Sequence, residues 1–215
     1  MGSHETKKLS EEEIIANIVL FLLAGYETTA SLLSFSAYNL ALNPESQRKL
    51  RDELRECPQL DYESVAKLPF LEAVVCETLR IHNPVTRVDR EAFEDYVLGD
   101  TGITLTKGSV VAIPVHALHH DPHYYPDPHR FIPERFLGDN LNKVKPYTYL
   151  PFGGGPRNCI GMRFALLEAK LALARVLMDY EFSPCAKTEV PLRFVNTRPG
   201  LLQAVSIWVN VERRN

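Results

Sequence analysis

Hydrophobic positions change their spacing several times along the chain, and each change marks a different kind of element. Ser10 followed by Glu11, Glu12 and Glu13 forms a capping box. The helix it opens runs to about Leu42, where Asn43-Pro44 stops it. That is about 33 residues, or roughly 50 Å at 1.5 Å per residue, enough to cross a domain. Its first half is apolar nearly all round, which predicts burial. A second helix starts near Asn43-Pro44-Glu45 and carries charged residues through Arg55. A third runs from about Pro69, a residue suited to a first turn, to Ile81. The period then shortens. Residues 96–98, 103–105 and 110–113 are short runs with turns at Gly99-Asp100 and Lys107-Gly108, a pattern that predicts a small antiparallel sheet. Dense prolines over 121–156 predict irregular chain. A last strong helix spans about 160–178, with Phe164, Leu167, Leu171, Ala174 and Leu177 on one face. Residues 201–211 read as strand. The pattern is mainly α with small antiparallel β-sheets, without internal repeats.

Composition narrows the classes. The 215 residues are 45% hydrophobic and 24% charged, ordinary for a globular protein. Length alone admits one domain or two small ones. The net charge of -3 gives no case for nucleic acid, whose partners are strongly basic. The longest apolar run, residues 14–25, contains Asn17 and is shorter than the roughly 20 residues of a membrane span. No secretory signal is visible. Residues 1–8 read as a disordered start or a cloning scar. Cys57, Cys76, Cys159 and Cys185 form no C-x-x-C pair, so a disulfide framework or zinc ribbon fits badly. A reducing compartment suits this usage best.

The sharpest chemical signal is Phe152-Gly153-Gly154-Gly155-Pro156-Arg157-Asn158-Cys159-Ile160-Gly161. Three glycines permit positive φ and let the backbone approach a flat ligand. Cys159 falls at the start of a helix, where free N–H groups and the dipole favour thiolate over thiol. Arg157 beside it can pair with an anion such as a propionate. A phosphate-holding loop and an inert buried cysteine are the rival readings, although no G-K-[ST] follows.

Three further places carry polar chemistry. In Ala24-Gly25-Tyr26-Glu27-Thr28-Thr29 the long helix turns small and polar, and Thr28 can bond back to the carbonyl of Ala24. A hydroxyl and a carboxylate there suit a proton relay; a helix–helix contact through small residues is the plainer alternative. Glu77 and Arg80 share a helix face, which read alone is a solvated pair. Arg87 and Arg90 read alone are surface charge. Five of seven histidines lie between His116 and His129. The prolines and aspartates around them predict an irregular surface segment rather than a metal site.

At these residues the chain resembles the cytochrome P-450 family. The cysteine loop meets every fixed position of F-x-x-G-x-R-x-C-x-G. The long helix is similar to the oxygen-activation motif [AG]-G-x-[DE]-T-[TS], and Glu77-Thr78-Leu79-Arg80 to E-x-x-R. The likeness runs from about Leu9 to the C-terminus. It resembles most the animal drug- and steroid-oxidising members of family three, subfamily A, with thromboxane synthase a near relative. The resemblance implies the C-terminal half of that fold: long distal helix, E-x-x-R helix, meander, cysteine loop and proximal helix. Residues 9–215 would then be part of a single domain whose N-terminal half lies outside this chain.

The resemblance also implies haem b with Cys159 as axial ligand; cytochromes P-450 are themselves the type case of haem held by a thiolate that favours O–O cleavage. Phe152, Gly153, Gly161 and Ala24 would lie against the haem, with Arg157 and Arg90, rather than Arg87, on its propionates. Thr28 and Glu27 would deliver protons. Glu77 and Arg80, completed by Arg135 of Pro133-Glu134-Arg135-Phe136, would lock the meander. The implied activity inserts one oxygen atom into small apolar substrates such as steroids or xenobiotics. Electrons would come from an NADPH-dependent flavoprotein reductase, with cytochrome b5 as a further donor. The full-length protein would sit on the cytosolic face of the endoplasmic reticulum membrane, anchored outside this chain. Two alternatives stay open: a peroxide-rearranging isomerase of the thromboxane synthase type, and a truncated, non-catalytic product. A half domain exposes apolar surface, so the isolated chain is expected to bind haem weakly or not at all.

Overall fold

The computed structural model describes residues 8–57, 59–195 and 200–214; of the expected disordered start, residues 1–7 lie outside these. Helix α1 (Glu11–Leu42) opens on the capping box, with Ser10 Oγ accepting from Glu13 N and Glu13 Oε2 accepting from Ser10 N. Asn43 ends it, and Pro44 starts α2 (Pro44–Glu56) directly. A one-turn helix follows, α3 (Tyr62–Val65), capped by Asp61, whose carboxylate accepts from Ser64 N at 2.9 Å. Helix α4 (Pro69–Ile81) begins at its proline, as the sequence predicts. Its first two free N–H groups, Phe70 and Leu71, are satisfied by Glu53 of α2 at 2.7 and 2.9 Å.

The β structure corrects the expectation of a single sheet from three apolar runs. Tyr96–Val97 (β2) and Thr104–Leu105 (β3) pair only with each other, around Gly102 at φ 72°. Val110–Ile113 (β4) pairs instead with Val88–Glu91 (β1), Val88 opposite Ile113 and Glu91 opposite Val110. Strand β1 has one apolar residue, Val88, followed by the charged Asp89, Arg90 and Glu91, so it offered no apolar run to find. The turn at Gly108, φ 85°, closes the outer hairpin through Gly108 N to Ala92 O at 2.7 Å.

Helix α5 (Val115–His119) follows, then a long stretch of turns that includes the 3-10 segments Pro133–Phe136, Gly138–Lys143 and Gly155–Arg157. Helix α6 (Met162–Asp179) runs into β5 (Tyr180–Ser183). The tail is also corrected: residues 201–211 are mostly not strand. Leu201 and Ala204 make isolated bridges, and the true strand, β6 (Asn210–Arg213), pairs antiparallel with β5.

One large core joins α1, α2, α4 and α6 around Leu32, Leu50, Leu71, Val74, Leu173 and Leu177. The buried face of α6 carries Ala169, Leu173, Ala174 and Leu177, while Phe164, expected on that face, is 70% exposed. The expected burial of α1's first half does not hold either. Residues 11–27 are exposed and burial starts at Thr29. All-round apolarity states what a segment needs; the described residues provide cover only along the second half. By length and composition alone, α1 is long and apolar enough to cross a membrane. The expectation that the apolar stretch is too short, which counted only residues 14–25, is corrected accordingly.

Candidate functional site

The cysteine loop is held by its own backbone. Gly153 N donates to Leu150 O at 3.1 Å, Asn158 N to Gly155 O at 3.1 Å, and Cys159 N to Phe152 O at 2.9 Å. Gly153 and Gly155 take φ of 73° and 76°, left-handed values that select glycine at these turns. Phe152 is half-buried and packs against the main core, which anchors the loop's entrance. The loop's far end, from Gly154 to Ile160, is exposed, and Cys159 with it.

The relation of the sulfur to the helix is corrected. The N-cap of α6 is Gly161, with Ala165 N donating to Gly161 O at 2.9 Å. Cys159 therefore stands two residues ahead of the cap rather than at the helix start. Gly161 lies beside the sulfur: a Cβ there would sit 4.0 Å from Cys159 Sγ.

Of the arginines at 87 and 90, Arg90 reaches this loop. Arg90, on β1 and half-buried, brings Nη2 to 3.5 Å from Gly154 O, while Nη1 donates to Asp89 O at 2.8 Å. Arg87 is gripped by both carboxylate oxygens of Asp89 at 2.7 Å each. Arg157 is exposed within the loop itself.

Thr28 and Glu27 stand on a separate element, α1. Thr28 Oγ1 donates to Ala24 O at 2.7 Å, the back-bond the sequence suggests. A Cβ at Gly25 would meet nothing within 4 Å, and Ala24 is exposed, so this part of the helix presents open backbone.

A polar node lies inside the core on α4. Glu77 and Arg80 are both fully buried. Arg80 Nε donates to Glu77 Oε2 at 2.7 Å and Nη2 to Oε1 at 2.8 Å, a two-point grip. Arg80 also donates to the carbonyls of His119 at 2.7 Å and Arg130 at 3.2 Å, and its guanidinium lies over the Tyr125 ring. Glu77 Oε1 further accepts from Ile132 N at 3.0 Å and Arg135 Nε at 3.4 Å. Arg135 Nη2 in turn donates to Pro126 O and, at 3.0 Å, to Asp127 O. One carboxylate thus ties α4 to a long run of otherwise irregular chain.

The histidine segment is not uniformly on the surface, contrary to expectation. His119 is fully buried and His116 and His120 are half-buried, while His123 and His129 are exposed. Burial pushes the imidazole of His119 down to about 3 and that of His120 to about 4, so both are neutral near pH 7. His82, stacked on Phe35 at 4.6 Å, is pushed by burial to about 3. Among the described residues no group of three or more His, Cys, Asp or Glu is arranged to hold a metal ion. Sequence reasoning missed His119, Tyr125 and Tyr149; only the dense aromatic and histidine content of this stretch could have flagged it.

The donor chemistry suits a flat group with a soft metal centre. Cys159 offers one accessible sulfur on a glycine-rich loop. The guanidinium at Gly154 O suits anionic arms.

Comparison with known proteins shows the family. The family described as cytochrome P-450 matches residues 1–206. Cytochrome P-450 3A9 of Rattus norvegicus is 47% identical over 201 residues, 92% of this chain and 39% of the relative. Cytochrome P-450 3A16 of Mus musculus is 47% identical over 203 residues, 93% of this chain and 40% of the relative. Cytochrome P-450 3A2 of Rattus norvegicus is 48% identical over 202 residues, 92% of this chain and 39% of the relative. The chain thus spans about two fifths of the length of these relatives, and its likeness to family three, subfamily A, is borne out, as is the mainly α fold class. On its motifs, its fold and these relatives together, the chain belongs to the cytochrome P-450 family.

Proposed function

We propose that residues 9–215 carry the haem-binding part of a monooxygenase domain, in which Cys159 would hold the iron of haem b through its sulfur. The observation that carries this reading is the exposed Cys159 on a loop fixed by the bond from its own N–H to Phe152 O. When bound, the haem would supply activation of dioxygen and insertion of one oxygen atom. The chain's own residues would position and tune. Phe152, Gly153 and Gly161 present the sulfur and leave room for a flat ring beside it. Arg157 and Arg90 would hold the carboxylate arms by charge-assisted hydrogen bonds. Ala24 and Gly25 would let the opposite face lie close to the α1 backbone. Thr28 Oγ1, oriented by its donation to Ala24 O, keeps lone pairs free to accept from a water, and Glu27 beside it would exchange protons with solvent. Glu77, Arg80 and Arg135 would keep the loop's platform rigid.

Likeness to the 3A relatives supports small apolar substrates, an NADPH-dependent flavoprotein reductase with cytochrome b5 as a second donor, and the cytosolic face of the endoplasmic reticulum membrane. The test uses a chimera in which this chain replaces the matched 39% of the rat 3A9 relative. An oxygenated steroid or drug-like product is expected with reductase and NADPH, with less product per NADPH consumed in Thr28→Ala. Turnover of a peroxide substrate alone, without need of NADPH, would overturn the monooxygenase reading.

A further inference from the structure

His119 joins two parts of the molecule that the family motifs treat separately. It closes α5 and is fully buried. Its carbonyl oxygen accepts from Arg80 Nη1 at 2.7 Å, which ties it to the ion pair of α4. Its ring turns the other way. Nε2 lies 2.8 Å from Leu150 N, at the entrance of the cysteine loop. The amide is a donor, so Nε2 must accept, and the ring proton belongs on Nδ1. Nδ1 is buried and meets no protein partner among the described residues, so the ring's polarity serves the single bond to Leu150.

The ring is held in place by packing. It stacks on Tyr149 with centroids 5.3 Å apart and an interplanar angle of 25°. Tyr149 is itself fixed through its hydroxyl, which donates to Cys76 O of α4 at 2.9 Å. Residues 149 and 150 are therefore pinned to α4 twice, once through Tyr149 and once through His119. From Leu150 the chain passes directly into the turn closed by Gly153 N to Leu150 O, and then to Phe152 O, which fixes Cys159 N. An unbroken series of short bonds thus leads from Glu77 and Arg80, through His119 and Leu150, to the backbone of Cys159.

We propose that His119 is a positioning residue: by accepting from Leu150 N–H while its carbonyl holds Arg80, it sets the height at which the loop presents Cys159. The functional half of this inference rests on Cys159 being the iron ligand; the structural half does not. A packing role alone would be met by any side chain of similar volume. The coupling role requires an acceptor at the position of Nε2. His119→Gln retains an acceptor oxygen within reach, whereas His119→Leu keeps bulk and loses the acceptor.

Three measurements decide it. In the wild-type 215-residue chain labelled with 15N, His119 is expected as the neutral Nδ1–H tautomer between pH 8 and pH 5; an Nε2–H tautomer overturns the proposal whether or not any variant folds. Leu150 amide exchange is expected to quicken about tenfold in His119→Leu, the scale of one buried hydrogen bond, and to recover in His119→Gln. Equal exchange in wild type and His119→Leu overturns it as well. In the 3A9 chimera, His119→Leu is expected to lower the fraction of the reduced carbon-monoxide complex that is thiolate-ligated, with rescue by His119→Gln. An unchanged fraction removes the link to Cys159. Cys159→Ala in the same chimera reports on the ligand assignment separately, so the two ideas fail by different results.

Discussion

The Glu77–Arg80 node and the Cys159 loop differ in every physical respect. The node is two opposite charges with no solvent contact, paired with each other and also bonded to groups from distant parts of the chain, Ile132 N at Glu77 and the carbonyl of His119 at Arg80. The loop is exposed from Gly154 to Ile160 and held mainly by bonds within its own backbone, with Arg90 Nη2 reaching Gly154 O from β1. On the proposed reading, the iron-binding sulfur sits on the accessible, locally built element, while the costly buried charges would hold it in place. A charged pair sunk in a core gives little net stability, yet breaking it is severe, because the survivor stays buried without a partner. The node is therefore best understood as a geometric clamp, and the loop as what it clamps.

That contrast predicts the largest effect at the node. Glu77→Ala strands Arg80 and leaves Arg135 without its carboxylate, and should cost roughly 3–5 kcal/mol in urea unfolding of the chain. A loss below about 1 kcal/mol would mean that the node clamps nothing. The next effect separates core from exposed apolar positions. Leu71→Ala, at a site with no solvent access, should cost about 2–5 kcal/mol. Phe164→Ala, at a side chain largely in solvent, should change stability by about 0.5 kcal/mol or less. Equal costs at the two positions would show that the exposed face of α6 is covered in solution.

Acid acts gradually, through the buried histidines. Burial lowers His119 and His82 in the folded chain to about 3, against an ordinary value near 6.5 in the unfolded chain. Between those values the unfolded state binds protons that the folded state refuses, so stability rises with pH. It should be complete above about pH 6.5 and fall as pH drops toward 3, by up to roughly 1.4 kcal/mol per unit for each histidine. Urea midpoints measured from pH 7 to pH 5 should decline; a flat profile would mean that neither ring is shielded in the folded chain.

Sequence signals that act over a few residues were fully legible. Pro44 and Pro69 set helix starts, Ser10 and Glu13 made their box, and the contiguous run from Phe152 to Gly161 displayed its glycines and cysteine together. What depends on distant partners was not. Glu77 and Arg80 look like any surface pair until Arg135, Ile132 and His119 arrive from the far side of the sequence. Strand β1 is invisible without β4 to pair it, and His119 looks polar until α4 and Tyr149 enclose it. The first half of α1 taught the converse: an apolar segment is legible, whereas its covering is a property of neighbours.

The ligand assignment itself is tested most directly by the reduced carbon-monoxide difference spectrum of the 3A9 chimera beside its Cys159→Ala variant. The chimera should give a thiolate-type band and the variant should lack it. An identical thiolate-type band in both, or none in the chimera, would contradict the assignment.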